Sequence, residues 1–399
     1  MIDISKIDTI NVGIVGHIDH GKTTLLQKLS GKWADTHSEE LKRGITIKLG
    51  YGDAVIYNEN GKLTTNKDSS GEPVRYITFV DAPGHEMLMA TMLSGAAIID
   101  VAILVVAANE GIKPQTQEHL TALGVKKIKN IIVAQNKIDL VTKEQAMKSY
   151  EDIKKFIKGT CAENAPIIPI SAHQGINIDK ILDHLCKIKI EKEKKEGKPI
   201  FLIARSFDIN RPGTNVENLH GGILGGVLKQ GKLKIGDIIE IKPGYTYKKQ
   251  NQINYKTIKS KIISLHKGNY PVKEVASGGS IAIETELDPA LTKADALSGS
   301  VSSLEGILPE ITEKIRIKYE LFKELMGSSQ HEKIQDLKLN ELLMISINTS
   351  ITVGQIAKIQ DKYIEVNLKI PVVPLKEDSI GLARNFNGHW RLIGQGKIE

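Results

Sequence analysis

The chain has 399 residues, 41% of them hydrophobic and 25% charged, with a formal net charge of +7. That length allows two or three domains with full cores. Its two cysteines, Cys161 and Cys186, form no CxxC pair, which argues against a disulfide framework and a structural zinc site, and no signal peptide or run of 18 apolar residues appears, so the expected setting is cytoplasmic with no membrane span.

Residues 10–15 (Ile-Asn-Val-Gly-Ile-Val) read as a buried strand, and residues 23–29 as the start of a helix. Between them runs Gly16-His17-Ile18-Asp19-His20-Gly21-Lys22-Thr23, the pattern Gly, four free positions, Gly-Lys-Thr. Strand and helix flanks are the context a phosphate-binding loop needs. Gly16 and Gly21 let backbone N–H groups turn toward phosphate oxygens, and the helix N-terminus adds a partial positive charge there. Lys22 supplies a full charge between the last two phosphates, and the Thr23 hydroxyl is a hard oxygen ligand for Mg²⁺.

Residues 32–50 are less regular and contain Lys42-Arg43-Gly44-Ile45-Thr46. A threonine in such a segment can give its hydroxyl to Mg²⁺ only while the terminal phosphate is present, a spring released by hydrolysis, or the segment is an ordinary connecting loop. Residues 58–72 are polar and include Asn60-Gly61, a hairpin-type turn. Residues 76–80 form a second apolar strand ending at Asp81, whose carboxylate can hold a Mg²⁺-bound water. In Asp81-Ala82-Pro83-Gly84, Gly84 can bring its N–H against the terminal phosphate, since no Cβ blocks the approach. His85 follows; it orients the attacking water or is a surface imidazole at a helix start.

Residues 101–107 are another buried strand, 114–123 a helix, 130–135 a strand, 143–157 a long amphipathic helix, and 167–170 a strand. Asn136-Lys137-Ile138-Asp139 follows the strand at residues 130–135. The Asp139 carboxylate offers acceptors to the two N–H donors on guanine's edge, where adenine would present a lone pair instead, and such a site can reject the wrong base by ~10⁴. The Lys137 stem can cover the base face. Backbone N–H groups of Ser171-Ala172 can receive the guanine oxygen. His17, His20 and His173 flank these motifs and, as residues alone, read as surrounding structure. Strand–helix alternation through about residue 188 predicts an α/β nucleotide-binding domain with a mostly parallel sheet and helices on both faces, its ligand at the carboxyl ends of the strands, where every motif falls.

Residues 189–198 form a charged linker, after which short alternating runs and frequent glycines predict β-barrels. The expected division is 1–198, 199–306 and 307–399. Residues 231–237 should link two strands, a second β unit should begin near Ile311, and only residues 314–325 and 337–343 should interrupt it. Charge is uneven: residues 1–198 hold 27 Lys and Arg against 25 Asp and Glu, the remainder 27 against 22. Residues 241–273 contain eight lysines and no carboxylate, with Tyr245, Tyr247, Tyr255 and Tyr270 interleaved. That stretch is a solvated face or a phosphate-binding one.

The wording Gly-His-Ile-Asp-His-Gly-Lys-Thr-Thr (16–24), Arg-Gly-Ile-Thr (43–46) and Asp-Ala-Pro-Gly-His (81–85) resembles that of translational GTPases. Residues 46–51, 87–97, 205–208, 287–295 and 390–394 are similar to the gamma subunits of archaeal and eukaryotic translation initiation factor 2, and the likeness covers nearly the whole chain. It implies two β-barrels after the nucleotide domain and a slow GTPase that carries methionylated initiator tRNA to the small ribosomal subunit when GTP is bound. It also implies an alpha subunit on the second domain and a beta subunit on the first. Carried over by position, the nucleotide contacts are Asp19, His20, Gly21, Lys22, Thr23 and Thr24 in the first loop, with Gly84 in the second. Asn136, Lys137 and Asp139 follow, then Ser171, Ala172 and His173. Thr23 and Thr46 hold Mg²⁺, with Asp81 acting through water; Asp19 and the Gly44 carbonyl offer a second Mg²⁺ site; His85 takes the water-orienting position. Relatives often carry a zinc knuckle of two CxxC pairs before the Asp-x-Pro-Gly motif; residues 58–75 here hold no cysteine, so no zinc is expected. An elongation-type carrier of any aminoacyl-tRNA and a scaffold stabilised by nucleotide are the competing readings.

Overall fold

The computed structural model describes residues 7–31, 49–66, 68–82, 89–190, 196–250, 252–268, 270–327, 332–375 and 378–399. Gly44, Thr46, Gly84 and His85 lie outside the described residues, as does most of the segment 32–50. By contacts the chain divides into two compact units: residues 1–190 with 320–336 and 381–395, and residues 191–319 with 337–380 and 396–399.

The nucleotide half is built on seven strands: β1 (Asp8–Gly16), β2 (Gly50–Glu59), β3 (Lys62–Thr64), β4 (Glu72–Asp81), β5 (Val101–Ala107), β6 (Asn130–Asn136) and β7 (Ile167–Pro169). Their order is β3-β2-β4-β1-β5-β6-β7. The run from β4 to β7 is parallel, and β2 and β3 form an antiparallel edge. All seven residues of β5 are buried. A parallel strand covered on both faces needs such an unbroken apolar run. The helices are α1 (Lys22–Ser30), α2 (Met89–Ala96), α3 (Pro114–Val125), α4 (Lys143–Ile157) and α5 (Ile178–Lys187). Leu25, Leu26 and Leu29 of α1 and Ile181, Leu182 and Leu185 of α5 share one core with Ile10, Val12 and Ile14 of β1. α4 starts at a reciprocal cap: the Gln145 N–H donates to Thr142 Oγ1 at 3.3 Å and the Thr142 N–H donates to Gln145 Oε1 at 2.9 Å.

Asn60 and Gly61, with φ 52° and 86°, make the tight turn between β2 and β3, and the Gly61 N–H donates to Asn58 Oδ1 at 2.9 Å. The loop after β3 is held by short side-chain bonds: the Asn66 N–H to Thr64 Oγ1, the Gly71 N–H to Ser69 Oγ, and Ser69 Oγ to Glu59 Oε2. Hydroxyls and carboxylates thus tie together a loop that contains no thiol.

The rest is β structure. β8 (Ile200–Phe207), β9 (Ile223–Gln230), β10 (Lys232–Lys234), β11 (Ile238–Lys249), β12 (Gln252–Lys267), β13 (Tyr270–Val272), β14 (Glu274–Ala276), β15 (Ser280–Thr285) and β16 (Val301–Leu304) come first. The sheet β11-β16-β8-β9-β15-β12-β13 closes through a β11–β12 pairing. Residues 231–237 contain a strand of their own, β10, paired with β14. Six further strands close a second barrel in the order β17-β20-β19-β18-β21-β22: β17 (Thr312–Leu321), β18 (Leu342–Ile347), β19 (Ser350–Gln360), β20 (Tyr363–Val372), β21 (Ser379–Phe386) and β22 (His389–Ile398).

This overturns the expected interruption at residues 314–325. Through residue 321 they belong to β17, with Ile315 and Ile317 buried between exposed Lys314, Arg316 and Lys318. The charged side chains are good helix formers, but their period of two fits a half-solvated strand. Residues 337–341 do interrupt the strands, turning through Asn340 (φ 63°) into β18, which begins at Leu342. Among the described residues no helix is long and apolar enough to cross a membrane.

Candidate nucleotide-binding site

The loop from Gly16 to Gly21 leaves the end of β1 and enters α1. Gly16, Asp19 and Gly21 have φ of 140°, 60° and 88°. Such left-handed positions build backbone nests for anions, here at a helix N-terminus. A Cβ on Gly16 would stand 2.4 Å from the Val105 carbonyl oxygen, and one on Gly21 would stand 2.4 Å from Asn136 Nδ2. Neighbouring strands therefore forbid side chains at both ends of the loop. Lys22 is buried, and its Nζ donates to the His17 carbonyl at 2.8 Å, so the ammonium is folded over the loop. Asp19 is exposed and Thr24 half-buried.

Thr23 Oγ1 donates to Asp81 Oδ2 at 2.9 Å, and the Asp81 side chain is fully buried at the end of β4. A hydroxyl and a carboxylate side by side are hard oxygen donors, the set that suits Mg²⁺.

Asn136, at the end of β6, joins the other loops. Its Nδ2 donates to the His20 carbonyl at 2.8 Å, its Oδ1 accepts from the Ala172 N–H at 2.9 Å, and its own carbonyl accepts from the Ala108 N–H at 2.7 Å. One buried amide thus ties the phosphate loop to the base loop. The Ser171 N–H donates to the Ile176 carbonyl, and Ser171 Oγ accepts from the Gln174 N–H. Ser171 and Ala172 are buried while His173 and Asp139 are exposed. Lys137, at φ 61°, places its Nζ 3.1 Å from Glu110 Oε1. Burial alone would raise the Glu110 carboxyl, but the Lys137 hydrogen bond and charge outweigh it and hold the group low.

Two histidines lie beneath the loop. His20 is fully buried, and burial lowers its pKa to about 4. Its 3.9 Å approach to Glu110 is therefore not an ion pair at neutral pH. His119 of α3 is also buried; its Nδ1 accepts from the Gly16 N–H at 2.9 Å, and burial lowers its pKa to about 3. An unprotonated Nδ1 is required for that bond, so neutrality and loop geometry are linked. Sequence reasoning missed both His119 and Glu110. The available signal was a polar ring on the buried stripe with Leu120 and Leu123, a group that must find a partner.

The match to known proteins agrees with this geometry. The family model described as "Elongation factor Tu GTP binding domain" matches residues 7–190, and the one described as "Initiation factor eIF2 gamma, C terminal" matches residues 313–398. The translation initiation factor 2 subunit gamma of Methanococcus vannielii is 50% identical over 401 residues, which cover 98% of both chains. The chain belongs to the family of translation initiation factor 2 gamma subunits. Family members from Methanocaldococcus jannaschii and Pyrococcus horikoshii are 48% and 47% identical, each over 98% of this chain and 97% of theirs. Among solved structures, a bacterial selenocysteine-specific elongation factor, EF-Sec, superposes with a TM-score of 0.77 at 25% identity, over 98% of this chain and 58% of that one. The elongation factor SelB from Methanococcus maripaludis, in complex with the GTP analogue GPPNHP, gives 0.74 at 24% identity, over 98% of this chain and 79% of that one. These two likenesses concern the fold. As a gamma-subunit family member the chain is a GTP-binding translation initiation factor and a translational GTPase, its ligands GTP and GDP, typically with Mg²⁺.

Replacing Asn136 with Ala should cost about 1–3 kcal/mol for each buried group it strands, the His20 carbonyl and the Ala172 N–H. GDP affinity, read by titration calorimetry, should fall at least about ten-fold; unchanged affinity would mean the two loops hold their places without it. His119 gives a pH signature. The unfolded chain binds a proton on this ring near pH 6.5 and the folded chain only near pH 3, so its contribution is complete above 6.5 and is lost as pH falls toward 3. Glutamine keeps an acceptor but does not titrate. Between pH 6 and 4 the stability of His119→Gln should fall less steeply than wild type, by up to about 1.4 kcal/mol per pH unit. Equal slopes in denaturant titrations would show that this ring is already charged.

Proposed function

We propose that this chain carries methionylated initiator tRNA to the small ribosomal subunit in its GTP-bound form and uses hydrolysis to GDP as the timing step. The reading rests on one combination: the tied phosphate and base loops at the ends of β1, β4, β6 and β7, in a chain that matches gamma subunits from end to end. The expected partners are the alpha and beta subunits of the same factor, and the working compartment is the cytoplasm. The division at residues 198 and 306 belongs to the same proposal.

Within the site, Lys22 takes the charge of the last two phosphates and Asp139 the two N–H donors of guanine. The Ala172 N–H is committed to Asn136, so the N–H of His173, an exposed residue, is the next donor for the guanine oxygen. Thr23, Asp81 and Thr46 would hold Mg²⁺, with Asp81 acting through water, and Asp19 with the Gly44 carbonyl would offer a second position. When bound, Mg²⁺ offsets charge that develops on the phosphoryl oxygens. The Gly84 N–H holds the terminal phosphate and His85 orients the water that attacks it. Asn136 keeps the base and phosphate loops in register, so guanine recognition and phosphate position are set together.

The factor assembled with its alpha and beta subunits should bind charged initiator tRNA at least about ten-fold more tightly with a non-hydrolysable GTP analogue than with GDP, since only unequal affinity for two states moves an equilibrium. Turnover without an activator should be slow, on the order of 10⁻⁴ to 10⁻² s⁻¹. Equal affinity in both nucleotide states would contradict the carrier role and leave a scaffold. Equal affinity for initiator and elongator tRNAs would contradict the initiation-specific cargo.

A further inference from the structure

The hairpin made by the distal parts of β11 and β12 is unlike the rest of its barrel. Beyond an irregularity between Ile241 and Tyr245, the register pairs Tyr245 with Lys256, Thr246 with Tyr255, Tyr247 with Asn254 and Lys248 with Ile253. Every residue from Tyr245 to Gln250 is exposed and, of the described residues opposite them, only Asn254 and Tyr255 are half-buried, whereas Ile239 and Ile241 at the base of β11 are fully buried. Alternation puts Tyr245, Tyr247 and Lys249 on one face with Lys256 opposite, and Lys248 on the other.

The two tyrosine rings lie 12° from parallel with centroids 6.4 Å apart, and each is about two-fifths exposed at 43% and 38%. Alternate residues on a strand are separated by about 6.6 Å, so the backbone spacing itself sets this arrangement. Two parallel, solvent-facing rings are costly to leave bare and offer π faces to a planar group.

The ribbon also carries uncompensated positive charge. Of the eight lysines between 241 and 273, Lys242 is buried and donates to the carbonyls of Leu308 and Pro309 and to Glu310, and Lys259 pairs with Glu305. Those two serve the barrel. Lys248, Lys249 and Lys256 have no ion pair among the described residues. On the paired strand, burial and then the nearby Glu313 charge push the Tyr255 hydroxyl upward. Aromatic faces with adjacent uncompensated cations are the chemistry that binds unpaired nucleic acid: bases stack while ammonium groups meet phosphates. An acidic protein surface would use the lysines but would leave the parallel rings without a partner.

We propose that the ribbon from Tyr245 to Lys256 is an RNA-contact element, in which Tyr245 and Tyr247 stack on one unpaired base, Lys249 and Lys256 on the same face hold the flanking phosphates, and Lys248 on the other face meets a phosphate further along the strand. It is separate from the nucleotide pocket and does not depend on which RNA the factor carries. The probe is a fluorescein-labelled eight-nucleotide single-stranded RNA, read by anisotropy across a salt series. The full chain is kept saturated with GDP so that the nucleotide site is filled. A blunt RNA duplex serves as the comparison. Tyr245→Leu with Tyr247→Leu, which keeps bulk but removes the rings, should weaken single-strand binding about ten- to a hundred-fold. Tyr245→Phe with Tyr247→Phe should restore it. Lys248→Gln, Lys249→Gln and Lys256→Gln together should lower the salt slope by about 2, at roughly 0.7 per phosphate contact. Changing the exposed Lys358 and Lys362 to Gln should not alter it. GDP affinity and melting temperature should be the same in all these variants. Unchanged binding by the leucine pair overturns the proposal, as does wild-type affinity that is equal for duplex and single strand. So does a result in which the variants lose the alpha subunit while RNA affinity is untouched, since the ribbon would then be a protein-docking surface.

Discussion

The side chain of Asn136 is the constraint on which the site depends. It is buried at the end of β6, donates to the His20 carbonyl and accepts from the Ala172 N–H. Its amide has one donor end and one acceptor end, and the two loops need one of each. Gly21 lies so close to Nδ2 that no larger residue fits there. The phosphate loop, its helix and the base loop are thereby set at fixed distances before any ligand arrives. Preorganisation of this kind lowers the ordering that a ligand must otherwise bring about.

The parallel sheet makes that convergence available. β1, β4, β5, β6 and β7 run in one direction, so their carboxyl ends and the loops after them lie along a single edge. Each loop is then fixed from below by a different neighbour: Gly16 by His119 of α3, Thr23 by Asp81, Lys137 by Glu110. His119 and His20 show what burial does to such a device. Both rings are driven to the neutral form, and in His119 that form is what the Gly16 N–H requires. The loop's backbone conformation and the protonation of a helix side chain more than a hundred positions away are one equilibrium.

Much of this was legible in the sequence because it is local. Val101–Ala107 and Lys143–Ile157 have the bounds their patterns suggest, an unbroken apolar run and a helical stripe behind a Thr-x-x-Gln cap. The motif residues stand at strand ends because Gly16, Asp81 and Asn136 each terminate a strand. What was not legible is what depends on long-range partners. Nothing near Gly16 announces His119, and nothing near Lys137 announces Glu110. The letters of Asn136 to Asp139 suggest contact with a base, but they do not show that the asparagine amide also ties two loops of its own chain. β17 was hidden for a different reason: its outward lysines, arginine and glutamates carry helix propensity, and only Ile315 and Ile317 carry the strand period. In the lysine-rich stretch, sequence could count charges but not separate Lys242 and Lys259, which serve the barrel, from the three lysines on the ribbon.

Amide hydrogen exchange on the nucleotide-free chain tests the central claim directly, because preorganisation must exist without ligand. The Ala172 and Gly16 amides donate to Asn136 Oδ1 and His119 Nδ1, so both should exchange at least about a hundred-fold more slowly than unstructured chain. Exchange at the unstructured rate at these two amides, with β5 and β6 still protected, would mean that the loops are assembled by the nucleotide and not by the fold.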